Sequence, residues 1–505
     1  MRRRAVALLL CLWAPLAACD SQSRTAAPGP TAAPAPAAPA AADAPLEGHL
    51  VSRATVARVL ERGVPPQWFG MYAAGKKIGY GHLELRPARP GEPGRLVSSL
   101  EARMGGGGAD IALHEDRFYQ GEPPHLLLEI RQREESGGAV VERRYRRDGD
   151  HMVAAQVIDG RAQPQRRIAA SRETLVDALD EIAVDPASAA PGRTVRVPGF
   201  DTTAERDRTT EVTVVEVGAR RIAGVDTEVV VLRSLGEGEQ TPTRTVLASG
   251  AVMLSTAIGE GMELRREEPA QAQSDVVGFD IIGDAVPVDR ALGDPAALGA
   301  LDLIVTVPRG FRLRDAPNQE ISRRPDGALE VAIRSRPGLP VLPDERRAAL
   351  AATAAIDAGD PAIAALAREI IGQERDRAAQ VERLVRWVHQ HVAKDLSTNL
   401  ATASQVLARR AGDCTEHALL FIALARAAGI PAREVSGLVY MGDEVQRFGW
   451  HAWAEVDLGG RWVQVDPSWG EPLANATHLT LGVGEDADWV AALGGLTISA
   501  PAPRR

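Results

Sequence analysis

The stretch AGDCTEHALLFIALARAAGIPAR, residues 411–433, constrains the fold more than any other part of the chain. Between Asp413 and Gly429, Ala418, Leu419, Phe421, Ile422, Leu424, Ala425 and Ala428 cover most of the circumference of a helix. A helix apolar on nearly every side must be central, so a domain has to be built around it. Asp413 as N-cap and Glu416 three residues on form a capping box, which sets Cys414 at the first helical position. Gly429 before Ile430 and Pro431 stops the helix. With the body buried, only the first turn is expected to reach solvent.

That position raises the question of what the thiol is for, because the chain has only three cysteines. Cys11 lies in the apolar stretch Ala5 to Leu16, which follows Arg2, Arg3 and Arg4. This reads as an export signal, too short to span a bilayer as a helix. It ends in Leu16-Ala17-Ala18-Cys19, which resembles the lipobox of bacterial lipoproteins. The resemblance implies cleavage before Cys19 and its lipidation; the plainer alternative is a secretory signal cut after small residues. Asp20 behind such a cysteine favours the periplasmic face of the inner membrane over the outer membrane. Cys414 is then left alone in a disulfide-permissive compartment, as a buried small hydrophobe or as a reactive group.

Length and pattern divide the 505 residues into more than one core. After the signal peptide of residues 1–19, residues 20–45 are rich in Ala and Pro and read as a disordered tether. Residues 46–287 alternate as strands, bounded by turn signals such as Ala74-Gly75, Gly137-Gly138 and Asp148-Gly149. One helix interrupts them, with Ser171 as its N-cap and Leu175, Ala178, Leu179 and Ile182 on one face. This predicts a twisted antiparallel sheet. The run Gly105 to Gly108 lacks a following Gly-Lys-Ser/Thr and reads as a loop rather than a phosphate cradle. Arg143, Arg144, Arg146 and Arg147 read as a solvated strand face, and a net charge of −9 gives no attraction for nucleic acid.

Residues 288–345 form a small β domain or bridge, and the period then changes to that of helices over residues 346–485. Pro361 follows Asp360 at a helix start; Val381, Leu384, Val385, Val388 and Val392 repeat at helical spacing; Thr402 and Gln405 form a third start. Three strand candidates come after Cys414's helix, and residues 486–505 read as a tail. Helices followed by an antiparallel sheet indicate an α+β class.

A thiol at the first helical position sits against free N–H groups and the positive end of the helix dipole, which favour the thiolate. The same N–H groups suit the oxyanion of a tetrahedral intermediate. Such a nucleophile needs a base and an orienter. Residues 449–470, GWHAWAEVDLGGRWVQVDPSWG, supply both in one hairpin. His451, Trp453 and Glu455 share a face of the first strand, Trp462, Gln464 and Asp466 share one of the second, and Gly459-Gly460 is a two-residue turn signal. If Leu458 opposes Arg461, Asp466 faces Trp453 with His451 as diagonal neighbour; a four-residue loop puts His451 directly opposite. Both registers let the carboxylate orient the imidazole.

The segments GDCTEHALLFIALARAAGIPAR, WHAWAEV and WVQVDPS together resemble the three motifs of the transglutaminase-like superfamily, within the wider papain-like cysteine enzymes. The resemblance covers residues 361–481 and implies Cys414 as nucleophile, His451 as general base and acid, and Asp466 as the residue orienting His451. It also implies that the preceding small β segment is of a kind commonly placed before this core. Where many relatives carry an aromatic residue after the second helix, this chain has Val392-Ala393-Lys394, which leaves Trp387 as a candidate oxyanion donor or a core residue.

The expected activity is acyl chemistry on amides through a thioester, ending in hydrolysis of a peptide-like substrate or transfer to an amine, with no cofactor and no metal. The expected partners are a protein or peptide substrate and the membrane holding the anchor. His417 is read as lining the cleft; a zinc site of Cys414, His417 and His451 is the metal alternative. A non-catalytic interaction module that kept the fold is the alternative function.

Overall fold

A computed structural model describes residues 44–105, 111–136, 139–222, 224–239, 241–259, 261–278, 284–353, 355–396, 402–484, 488–493 and 495–501. The export signal with Cys19, the tether, most of the Gly105 to Gly108 run and the Gly137-Gly138 turn lie outside the described residues.

The strand alternation before residue 268 resolves into one 15-stranded antiparallel sheet. Its strands follow sequence order almost throughout, as short hairpins demand, but the strands Val64–Ala73 and Met262–Glu267 pair with each other and join the two halves. At the first hairpin, Ala74 and Gly75 have φ of 54° and 76°, the left-handed pair that a two-residue turn needs. The helix Leu175–Ile182 packs on this sheet and buries Leu175 and Leu179 completely. Its N-cap is Thr174, not Ser171. Thr174 has Asp177 three residues on and completes a capping box, whereas Ser171 accepts the N–H of Glu173 and donates to Asp207 at 2.6 Å. A helix that the alternation hid, Arg53–Arg62, precedes the first strand.

In the basic run Arg144 and Arg146 are exposed, as a solvated face requires, and Arg143 and Arg144 also pair across the strands. Arg144 bonds both oxygens of Glu129 at 2.8 and 2.9 Å, and Arg143 reaches Gln132 and Glu134 at 2.9 and 3.1 Å. Glu134 and Glu129 on the neighbouring strand offset the charges of Arg143 and Arg144, and Tyr145 beside them is buried.

The bridge forms a sheet of four strands, Gln319–Arg323, Leu329–Arg334, Ala300–Thr306 and Thr497–Ser499. The last of these comes from the segment read as a tail: Val305 pairs with Ile498. Three residues are too few to show alternation in a sequence.

The helical part comprises α1 (Pro361–Ile371), α2 (Arg377–His391), α3 (Ala403–Arg409) and α4 (Cys414–Ala427). Asp360, Asp376, Thr402 and Asp413 cap them in turn. Behind α4 lies a sheet of β1 (Ala432–Tyr440), β2 (Arg447–Leu458), β3 (Arg461–Val465) and β4 (His478–Val483). Its order is β4, β1, β2, with β3 and the short strand Val286–Pro287 both on the outer edge of β2. Thr415 through Ala425 are all buried, so α4 is the central element its composition demands. Ala139 from the large sheet joins the core around α4, and Gln405 donates to Asp159 at 2.9 Å, which ties the two parts together.

Candidate active site

The site begins with the start of α4. Asp413 accepts the N–H of Thr415 at 2.7 Å and donates its own N–H to Glu416 at 2.8 Å. Gly412 is required for this fold-back, because a Cβ there would lie 2.2 Å from the Cβ of Glu416. The capping box is therefore closed, and Cys414 occupies the first helical position as its pattern predicts. The rest of the first turn is buried; Cys414 itself is partly exposed. Of the first N–H groups of α4, those of Thr415 and Glu416 turn to the Asp413 side chain and that of His417 to the Asp413 carbonyl. The N–H of Cys414 is thus the one of the four that the cap does not use.

The hairpin adopts the two-residue turn: Leu458 opposes Arg461, Glu455 opposes Gln464, and Gly459 and Gly460 have φ of 64° and 81°. Regular pairing ends at Ala454 and Val465, after which Asp466 bridges instead to Glu471, with backbone bonds of 2.8 Å in both directions. This bend carries the carboxylate toward His451, whose Nε2 donates to Asp466 Oδ2 at 2.7 Å. The ring's other nitrogen, Nδ1, is left for Cys414, whose charge also acts on His451. Burial opposes a charge on His451, yet the negative charges of Asp466 and Cys414 raise its pKa to about 10. Burial likewise works against ionised Asp466, but the His451 charge and the bonds from His451 and His478 hold it well below the ordinary carboxylate value.

The sequence reading missed His478. Its Nε2 lies 3.2 Å from the same Asp466 oxygen, and the ring is completely buried. Only its place on β4, which reaches the site through β1, reveals it. His417 departs from its expected place along the cleft: it is 1% exposed, with Nδ1 2.7 Å from the Asp413 carbonyl and Nε2 3.0 Å from that of Val392. Burial pushes its pKa below the ordinary value against the pull of those carbonyls. Both nitrogens face backbone, so His417 pins the start of α4 to the end of α2 and is no partner in a zinc site with Cys414. Among the described residues, the cluster with metal-ligand spacing is His451, Asp466 and His478, whose atoms already stand at hydrogen-bonding distance from the shared carboxylate.

The tryptophans of the hairpin divide their tasks. Trp453 is fully buried, donates to Gln464 at 3.1 Å and stacks 5.9 Å from His451. Trp469 is partly exposed and lies 5.4 Å from His451 and 5.7 Å from His478, so it walls the open side. Trp450 packs against Trp489, and Trp462 lies under Arg433. Trp387 stacks on His391 with Arg410 over its face, which is a packing role on α2.

Residues 364–467 match the transglutaminase-like superfamily. No curated protein matches the chain. Among solved structures, a candidate cysteine protease from Cytophaga hutchinsonii is similar at 19% identity, over 40% of this chain and 82% of that one, with a TM-score of 0.28. The periplasmic domain of TgpA from Pseudomonas aeruginosa, bound to ethylmercury, is similar at 18% identity, over 52% and 73%, with a TM-score of 0.23. A candidate protease from Parabacteroides distasonis is similar at 10% identity, over 69% of each chain, with a TM-score of 0.19. The chain thus carries a transglutaminase-like core in its C-terminal part, behind a large antiparallel sheet.

Proposed function

We propose that the protein is a cysteine enzyme acting on amide bonds, with Cys414 as nucleophile, His451 as proton carrier and Asp466 as its orienter. The single observation that carries this reading is the His451 ring, held through Nε2 by Asp466 at 2.7 Å and acted on by a partly exposed thiol at a helix start.

The step begins with transfer of the Cys414 proton to His451, where the charge of Asp466 favours it. The thiolate attacks the amide carbonyl and forms a carbon–sulfur bond; the carbonyl electron pair moves to oxygen. The Cys414 N–H left over by the cap is the donor placed to receive that oxyanion, a role worth about 2.7 to 4 kcal/mol. Collapse breaks the carbon–nitrogen bond, and His451 gives its proton to the leaving amine. Water then attacks the thioester, His451 takes its proton, and the thiolate leaves with the bond electrons. A primary amine in place of water yields a new amide. Trp469 beside His451 favours a substrate with an apolar or extended peptide segment.

Cys19 and the tether support placement in a bacterial envelope, lipid-anchored and preferentially on the periplasmic face of the inner membrane. No described helix is long and apolar enough to cross a membrane.

The test uses the full-length protein and its Cys414→Ala variant with casein as substrate. Ammonia or new amino termini, together with an acyl adduct on Cys414 by mass spectrometry, are expected from the wild type alone. A Cys414 that iodoacetamide alkylates at pH 6 no faster than a simple thiol, with no adduct, would overturn the reading in favour of a non-catalytic module.

A further inference from the structure

The Asp466 carboxylate is fully occupied. Oδ1 accepts the N–H groups of Ser468 at 2.7 Å and Trp469 at 3.1 Å; Oδ2 accepts from His451 at 2.7 Å and faces His478 Nε2 at 3.2 Å. An ionised carboxylate offers about four acceptor sites, and all are used here.

His478 is held for this contact. Its Nδ1 faces two acceptors, the carbonyl of Asn475 at 3.1 Å and its side-chain oxygen at 3.3 Å, so the ring bonds Asn475 and Asp466 together only with a proton on each nitrogen. That side-chain oxygen also accepts the N–H of Thr477 at 2.9 Å, and the Asn475 amide group donates to Glu471 at 2.7 Å. Glu471 in turn bridges Asp466 through backbone bonds. The loop from Asp466 to His478 is therefore a closed circuit of hydrogen bonds ending on the carboxylate where it began. Trp453 meets the His478 ring edge-on at 5.1 Å and Trp469 at 5.7 Å, so the imidazole has no other orientation open to it.

We propose that His478 is a positioning residue for the reaction: clamped by Asn475, it gives Asp466 a second imidazole donor and thereby sets how that carboxylate holds His451. This rests on the reading of Cys414 and His451 as a reactive pair. A carboxylate oxygen shared between two donors is fixed in direction and attracts each less strongly than it would one alone. Without His478, Asp466 loses one anchor while its charge acts undivided on His451. The ring then holds its proton to higher pH and is aimed less well. Among the described residues, Cys414 acts on His451 and His417 on Asp466 through charge, and Glu471 lies on the same loop bonded to Asn475.

The measurement is the rate of iodoacetamide alkylation of Cys414 against pH in the full-length protein, which needs no substrate. Wild type is expected to show a thiolate plateau and a separate alkaline step as His451 loses its proton. His478→Phe is expected to move that step upward by about one pH unit and, with casein, to lower kcat about tenfold with KM unchanged, the effect of one hydrogen bond to a charged group. His478→Gln, whose amide can still reach Asp466, is expected to restore both. Should the Phe variant not fold, His478→Asn takes its place, since it keeps the Asn475 side but falls short of Asp466. Equal alkaline steps in wild type, Gln and either short or apolar variant would overturn the positioning role and leave the function intact. A wild type without the plateau would overturn the reactive pair itself.

Discussion

Two regions of this molecule bury charge in the interior, and they do so to different ends. In the large sheet, Arg117 bonds Glu115 at 2.8 Å, Glu173 at 2.6 Å and the Phe200 carbonyl at 3.0 Å, and Tyr119 donates to Glu173 at 2.5 Å. Burial raises the pKa of Glu115 and Tyr119. Every member is 3% exposed or less. In the C-terminal core, Asp466 and His478 are as deeply buried, yet the bonds run out to His451, on which a partly exposed thiol acts. Buried charge alone therefore does not mark a site. A network closed on itself fixes a fold, whereas one that ends on an accessible nucleophile can do chemistry.

Each network has a residue whose removal separates chemistry from stability. Removing the exposed terminus, Cys414→Ala, is expected to abolish turnover, a loss on the order of 10⁴-fold or more, with an unchanged melting temperature. Asp466→Asn is expected to cost about 10²- to 10⁴-fold in kcat and to bring the alkaline alkylation step of Cys414 down toward the ordinary histidine value. The closed network should answer in stability instead. Arg117→Met leaves Glu115 and Glu173 without their buried counter-charge and should cost about 3 to 5 kcal/mol in denaturant unfolding, with Cys414 alkylation per folded molecule unaltered.

A pH effect follows from His451. Its pKa in the folded chain is raised to about 10 from 6.5. The stability it contributes is complete below pH 6.5 and is lost as pH rises through about 10. Melting temperature should fall across that window, and Asp466→Asn should flatten the fall. The smallest expected effect is that of the cap: Asp413→Ala should cost about 1 kcal/mol and slow alkylation by loosening the first turn of α4.

Much of the C-terminal core is legible in the sequence. The boxes at Thr402 and Asp413, the stop at Gly429 and the hairpin register around Gly459-Gly460 all depend on neighbours within a few residues. Elsewhere the local signal misleads or fails. Ser171 looks like a cap, but Thr174 wins because its partner Asp177 stands three residues on. First-turn N–H groups look available to a ligand, but Asp413 takes those of Thr415 and Glu416. His478 carries no motif, and its link to Asp466 depends on the loop that Glu471 and Asn475 close.

By itself the sequence determined that α4 is central, that Cys414 opens it, and that a histidine and a carboxylate share one hairpin face, because periodicity and capping are short-range properties of the backbone. Only the tertiary structure decided which oxygen of Asp466 meets His451, that His478 shares it, and that His417 turns to backbone carbonyls. Those outcomes depend on where the sheet, its loops and the end of α2 bring residues far apart in sequence to within a hydrogen bond, as for His478 and Asp466 or His417 and Val392, and no local spacing encodes that distance.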